Sequence, residues 1–260
     1  MPRQQPPQRP PVACWLRVRY AKVGPARFAS HRDIARTLER AVRRAGLPVA
    51  SSSGFTPHPR LSYANPAPTG AASHAEYLEL GLTEVVDADD VRGRLGACLP
   101  DGFPVTSVRP ARAGERLADL FDASLWRIDA GAGAAGLAEA ASGLLSETSH
   151  EVRRESSRGL RVLDVRAALV ALVVDAAGEP GPQVTALLAH GEPLVRPDDL
   201  VSALDDLGAD LGGVAPVFTR LAQGRRWSAD LAADPSRGVL RLGDAALVLP
   251  PGEDDPRPIG

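Results

Sequence analysis

Between residues 15 and 20 apolar and polar side chains alternate. Trp15, Arg17 and Arg19 fall on one side and Leu16, Val18 and Tyr20 on the other, the period of a β-strand. Lys22-Val23-Gly24-Pro25 then turns the chain, and the period changes. Ile34, Leu38, Ala41, Val42 and Ala45 recur at helical spacing, which predicts an amphipathic helix with one buried stripe. Ser30 is its expected N-cap, with Asp33 at the third helical position, and Gly46 followed by Pro48 is the expected stop. Arg32, Arg36, Arg40 and Arg43 occupy the face opposite the apolar stripe. Residues 47–53 read as a short strand and 76–82 as an alternating one. A helix capped by Asp87 or Asp89 is expected to run through Leu99, halted by Pro100-Asp101-Gly102, and 103–108 closes the set as a strand.

A second round has a similar order. Strand 125–129 precedes an alanine- and leucine-rich helix over 134–145, and strands 150–155 and 160–174 flank Ser156-Ser157-Arg158-Gly159, a plausible hairpin turn. Strand 183–189, a helix from Pro197 to Leu207 and strand 217–222 complete it. The first round follows β-α-β-β-α-β and the second does so with an extra strand, so the expected class is α+β, two tandem ferredoxin-like domains with antiparallel sheets. The expected divisions are a proline-rich disordered leader over 1–12, a basic domain over 13–110, a linker over 111–123, a second domain over 124–226, and a partly disordered tail over 227–260 with a possible hairpin over 238–249.

Charge changes this picture more than composition does. The formal net charge of −2 conceals a division. Through Ala75 there are twelve Lys and Arg against two acids, a formal +10, and the remainder carries eighteen against thirty, or −12. A basic part of this kind points to a polyanion, and an acidic one to solvation or docking. Lys22 is the only lysine, so the prevalence of arginine says more about base composition than about a choice of phosphate chemistry. Two cysteines are too few for a disulfide framework, and they stand too far apart in sequence for a zinc or iron–sulfur pattern. The first residues lack the apolar stretch of a signal peptide, and no apolar run approaches the ~20 residues of a membrane helix. With no P-loop, no dinucleotide glycine fingerprint and no serine elbow, the chain is expected to hold no cofactor or metal of its own and to be cytoplasmic.

The densest side-chain chemistry lies in Gly54-Phe55-Thr56-Pro57-His58-Pro59-Arg60-Leu61-Ser62-Tyr63. Two prolines hold His58 out of helical geometry, so a stiff surface loop is expected. His31 opens the arginine-striped helix, where the positive end of the helix dipole favours its neutral form. Lys22, Arg27, His31, His58, Arg60 and Tyr63 together form a set suited to a phosphate: histidine as acid or base, arginine as counter-charge, tyrosine to orient or stack. A non-catalytic RNA clamp would use the same set. His74 is expected to be structural, and Asp164 with Arg166 is expected to form a pair on one strand face.

On these residues the N-terminal part resembles a bacterial family of radical SAM-linked proteins of unknown function, whose members occur beside or fused to radical SAM proteins of the B12-binding type. The resemblance rests on Arg19-Tyr20-Ala21-Lys22 with Gly24, on Arg27-Phe28-Ala29-Ser30-His31 with Asp33, on Arg40-Ala41 with Arg44-Ala45, and on Leu47-Pro48-Val49. It continues through the Gly-Phe-x-Pro-His-Pro core, Gly70 and Glu76-Tyr77, spanning roughly residues 15–110. Arg32 stands where an apolar residue commonly separates His31 from Asp33, and Arg60 where lysine is common. The resemblance implies a partner, a radical SAM enzyme with an RNA-processing or ribosomal neighbourhood, and carries no established activity.

The expected function is therefore an accessory protein that presents RNA or another phosphorylated substrate to a radical SAM enzyme. Arg32, Arg36, Arg40 and Arg43 would hold phosphates while Phe55 and Tyr63 stack a base beside Arg60. The alternatives are a metal-independent RNA-processing enzyme with His31 and His58 as its acid–base pair and Tyr63 assisting, and a purely structural adaptor.

Overall fold

The computed structural model describes residues 10–53, 55, 57–156, 159–228, 237–251 and 253, so most of the expected leader and part of the tail lie outside the described residues. The chain is a mixed α+β protein of antiparallel sheet with few helices, in two compact units, Met1–Asp119 and Leu120–Gly260.

In the first unit, β1 (Cys14–Lys22) pairs antiparallel with β3 (Ala72–Leu82) on one side and β4 (Val105–Pro110) on the other. β2 (Leu61–Ala64) adds to the far edge of β3, giving the order β4-β1-β3-β2. Helices α1 (His31–Arg44) and α2 (Ala88–Gly96) cover one face. The period-2 stripe Leu16, Val18 and Tyr20 meets Ile34, Leu38, Ala41 and Val42 of α1, together with Leu78, Leu80 and Leu82 of β3 and Val91 and Leu95 of α2. The opposite face is buried too over much of β1. Arg17, only 8% exposed, donates to Glu79 at 3.0 Å and to Glu115 at 3.2 Å, and the Arg19 guanidinium bonds the His74 carbonyl. Desolvated charges of this kind persist only when paired. Two of the basic residues counted in the N-terminal part are thus structural.

Both helix caps follow the sequence. Ser30 Oγ accepts from Asp33 N at 3.3 Å, and Asp87 caps α2 through Asp89 N and Asp90 N, each at 3.0 Å. Two elements depart from expectation. Residues 47–53 form no strand and make only single bridges, Val49 to Leu82 and Ser51 to Pro59. The second strand lies later, at Leu61–Ala64, inside the stretch read as loop. Pro48 and the two prolines at 57 and 59 remove the N–H groups that a continuous ladder needs.

In the second unit, β5 (Ala123–Asp129) pairs with β9 (Gln183–Ala189) and β10 (Val217–Arg226), and β8 (Leu169–Asp175) lies on the other side of β9. The order is β10-β5-β9-β8. Helices α3 (Leu137–Ser146) and α5 (Pro197–Asp206) bury Leu137, Ala140, Leu144, Leu200, Ala203 and Leu204. A separate ribbon of β6 (Glu151–Ser156) and β7 (Gly159–Asp164) is inserted after α3. The long strand expected over 160–174 is broken by a single helical turn, α4 (Val165–Ala168). Asp164 is the reason: its carboxylate accepts from Ala167 N, His150 N and Ser149 Oγ, and so caps the turn instead of pairing with Arg166. The tail contributes the hairpin β11 (Arg237–Leu242) and β12 (Ala245–Pro251), with β12 also pairing β10. The expected linker is not bare chain, since Leu117, Leu120 and Phe121 are buried.

Candidate functional site

The site begins with α1. Because Ile34, Leu38, Ala41 and Val42 must face the core, helical geometry turns Arg32, Arg36, Arg40 and Arg43 outward, and all four are exposed. Among the described residues only Arg43 of these has an ion pair, with Glu39 at a loose 4.0 Å. Arg40 reaches Thr37 Oγ1 at 3.4 Å. The one acid of the first turn, Asp33, is engaged by Ser30 Oγ at 2.6 Å. That side-chain hydrogen bond, above all, holds its carboxyl below the usual range. The row is thus a set of guanidiniums open to an outside anion.

The stretch around the proline–histidine–proline core forms an arm. Ser52 N donates to the His58 carbonyl at 2.8 Å, His58 N to Ser52 Oγ at 3.0 Å, and Arg60 N to the Ala50 carbonyl at 2.7 Å. These bonds tie residues 50–52 to residues 58–60 at the base of the arm. Phe55 is 77% exposed and His58 is exposed. Gly54 and Thr56 lie outside the described residues.

Past the arm, the strand period decides which groups meet. Leu61 and Tyr63 of β2 point to the helix-covered face, where both pack on the core. Tyr63 meets His31 there edge-on, with ring centroids 5.5 Å apart and planes at 84°. Arg60, an odd number of residues from Tyr63, points the other way. A Cβ at Gly81 would lie 3.1 Å from Arg60 Cβ and 3.1 Å from two Trp15 ring carbons. Gly81 therefore leaves the space in which the Trp15 indole lies beside Arg60. The set expected to act together is divided: His31 and Tyr63 lie on the helix side, and Arg60 lies on the other, beside Trp15.

Tyr63 Oη is buried without a hydrogen-bond partner. Burial, with the Glu39 charge adding to it, pushes its pKa well above the ordinary value, so the phenol stays protonated. Lys22 is 0% exposed, and its ammonium donates to the Ala67 and Pro68 carbonyls at 3.1 and 2.9 Å. It pins the turn before β3 from inside and does not face the surface. Arg27 lies with its guanidinium 4.6 Å from the Phe28 ring centroid, and Phe28 is 60% exposed.

Sequence reasoning did not single out Phe28 or Trp15. The available signal was an aromatic beside an arginine in a basic segment, which the alternation pattern alone assigns to strand or turn. Among the described residues no group of three or more His, Cys, Asp or Glu is placed to hold a metal. No helix among them is long and apolar enough to cross a membrane.

Residues 15–197 match the family described as "Uncharacterized protein conserved in bacteria (DUF2344)", and the chain belongs to that family. No curated protein matches it.

Proposed function

We propose that this chain is an accessory protein that binds RNA, or another phosphorylated substrate, through its first unit and presents it to a radical SAM enzyme. The observation that carries the reading is the exposed row Arg32, Arg36, Arg40 and Arg43, almost without paired acid. Guanidiniums spaced one turn apart match a phosphate backbone, and binding there would release counterions. Phe28 beside Arg27, Phe55 of the arm and Trp15 beside Arg60 add exposed aromatic surface on the same basic unit, the combination that single-stranded nucleic acids use for stacking. Lys22 has no part in this surface, since its ammonium is buried. The partner rests on the resemblance of the Gly-Phe-x-Pro-His-Pro stretch, and the cofactor of the reaction would belong to that partner. The finer fold reading, two ferredoxin-like units, is supported by the strand orders β4-β1-β3-β2 and β10-β5-β9-β8 with helices between.

Fluorescence anisotropy with a labelled single-stranded RNA tests the reading. Affinity is expected to fall with salt at a slope of about 0.7 per phosphate contacted, and Arg36→Glu with Arg40→Glu to weaken binding about tenfold or more. Binding that ignores both salt and charge reversal would overturn it. A second reading is an RNA-processing enzyme with His31 and His58, both exposed, as acid and base. Cleavage or modification of RNA by the purified chain, abolished by His58→Ala, would establish that reading. The adaptor alternative predicts normal partner binding and function in both variants.

A further inference from the structure

The second unit holds a cavity of about 320 Å³ that none of the preceding chemistry uses. It lies between the end of β7 with α4 and the segment after β9, and its size is at the small end of the ~300–1,000 Å³ typical of ligand pockets. Its walls are largely aliphatic: Val162, Leu163, Ala168, Ala189, Pro193 and Val195. Three ionisable residues line it, His190, Asp164 and Glu192, and among the described residues no lysine or arginine does.

Each of the three has a defined state. His190 lines the cavity with its ring held in place, Nε2 2.8 Å from Ser124 Oγ and a further hydrogen bond to the Phe121 backbone. Burial, with the Arg220 charge adding to it, pushes its pKa down to about 4, so it brings no positive charge at neutral pH. Asp122 acts on it in the opposite sense to Arg220, which limits the positive field from that side. Asp164 is partly desolvated, yet its hydrogen bonds from Ala167, Ser149 and His150 hold the carboxyl below the usual range, so it is ionised. Glu192 is exposed at the rim. The cavity therefore combines aliphatic walls, a neutral imidazole among its lining residues and two acidic side chains, the hydrogen-bonded Asp164 and the exposed Glu192. That combination complements a hydrophobic group carrying a cation and opposes a carboxylate or phosphate.

We propose that the second unit binds a small amphipathic amine, its ring or branched aliphatic body lodged between Leu163, Ala168 and Ala189 and its ammonium directed to Glu192 and Asp164. The site is independent of the RNA reading of the first unit and stands or falls separately.

Amide NMR titration of the full chain tests this with three probes: phenethylamine, 3-phenylpropanoate with the same ring and the opposite charge, and ethylamine with the charge and no ring. Phenethylamine is expected to saturate shifts confined to residues 162–168 and 189–195, and the other two to bind at least about tenfold more weakly. Glu192→Gln, a substitution of an exposed side chain, is expected to weaken phenethylamine about three- to tenfold. Ala168→Phe, checked for a native amide spectrum, is expected to abolish binding by filling the cavity. No saturable shifts with phenethylamine, equal binding of the propanoate, shifts centred elsewhere, or indifference to Glu192→Gln would each overturn the proposal.

Discussion

Tyr63 carries a hydroxyl that its position does not satisfy. The side chain was drawn into the expected site by its chemistry, but its phenol is buried, protonated and without a partner. An unpaired buried hydroxyl costs stability, so Tyr63→Phe is expected to be neutral or to stabilise the chain by up to about 1 kcal/mol in urea unfolding. A loss above about 1 kcal/mol would show that the hydroxyl has a partner. His190 makes the complementary case. Its imidazole is held near pKa 4 by burial and by Arg220, against 6.5 ordinarily. Between those values the unfolded chain binds the proton and the folded chain does not, so stability should fall as pH drops from about 6.5 towards 4. The contribution is at most about 3 kcal/mol. His190→Gln should flatten that limb of a stability–pH curve, and an unchanged slope would refute the assignment.

Elements carried different amounts of information. α1 was legible throughout: apolar period, Ser30 cap, Asp33 and the Gly46 stop all appear where the residues place them. Ser30→Ala should therefore lower stability by about 1 kcal/mol, measured as a shift in the urea midpoint. β2 was not legible, because four residues carry too little alternation to outweigh the neighbouring prolines. Missing it also merged two faces into one site, since only a strand at Leu61–Ala64 sends Arg60 and Tyr63 in opposite directions. Gly81 was equally silent, its role depending on Trp15 and Arg60 arriving from other strands. Gly81→Val should push the indole aside, with a change in Trp15 fluorescence against a Trp126→Phe, Trp227→Phe background. An unaltered spectrum would mean that Trp15 does not lie over Gly81. Asp164 marks the same limit, because a carboxylate in a strand pattern became a cap once Ser149 and His150 came within reach.

At the scale of the whole molecule, charge is distributed by unit rather than averaged. Met1–Asp119 carries a net excess of base and Leu120–Gly260 of acid, although the chain's calculated pI is about 6.2. The chain is accordingly expected to be retained on heparin at pH 7 and low salt, against its overall sign, and to elute earlier as Arg36→Glu with Arg40→Glu. Passage of the native chain without retention would contradict an exposed basic face. The sequence by itself determined the four longer helices, most strands, the charge division and the exposure of the arginine row, because period, caps and side-chain charge are local properties. Only the tertiary structure decided that Lys22, Arg17 and Arg19 are buried, that Tyr63 meets His31 and not Arg60, and that a cavity opens beside His190. Those facts depend on strand pairing and on which desolvated charges find partners, and both are set by residues far apart in the chain.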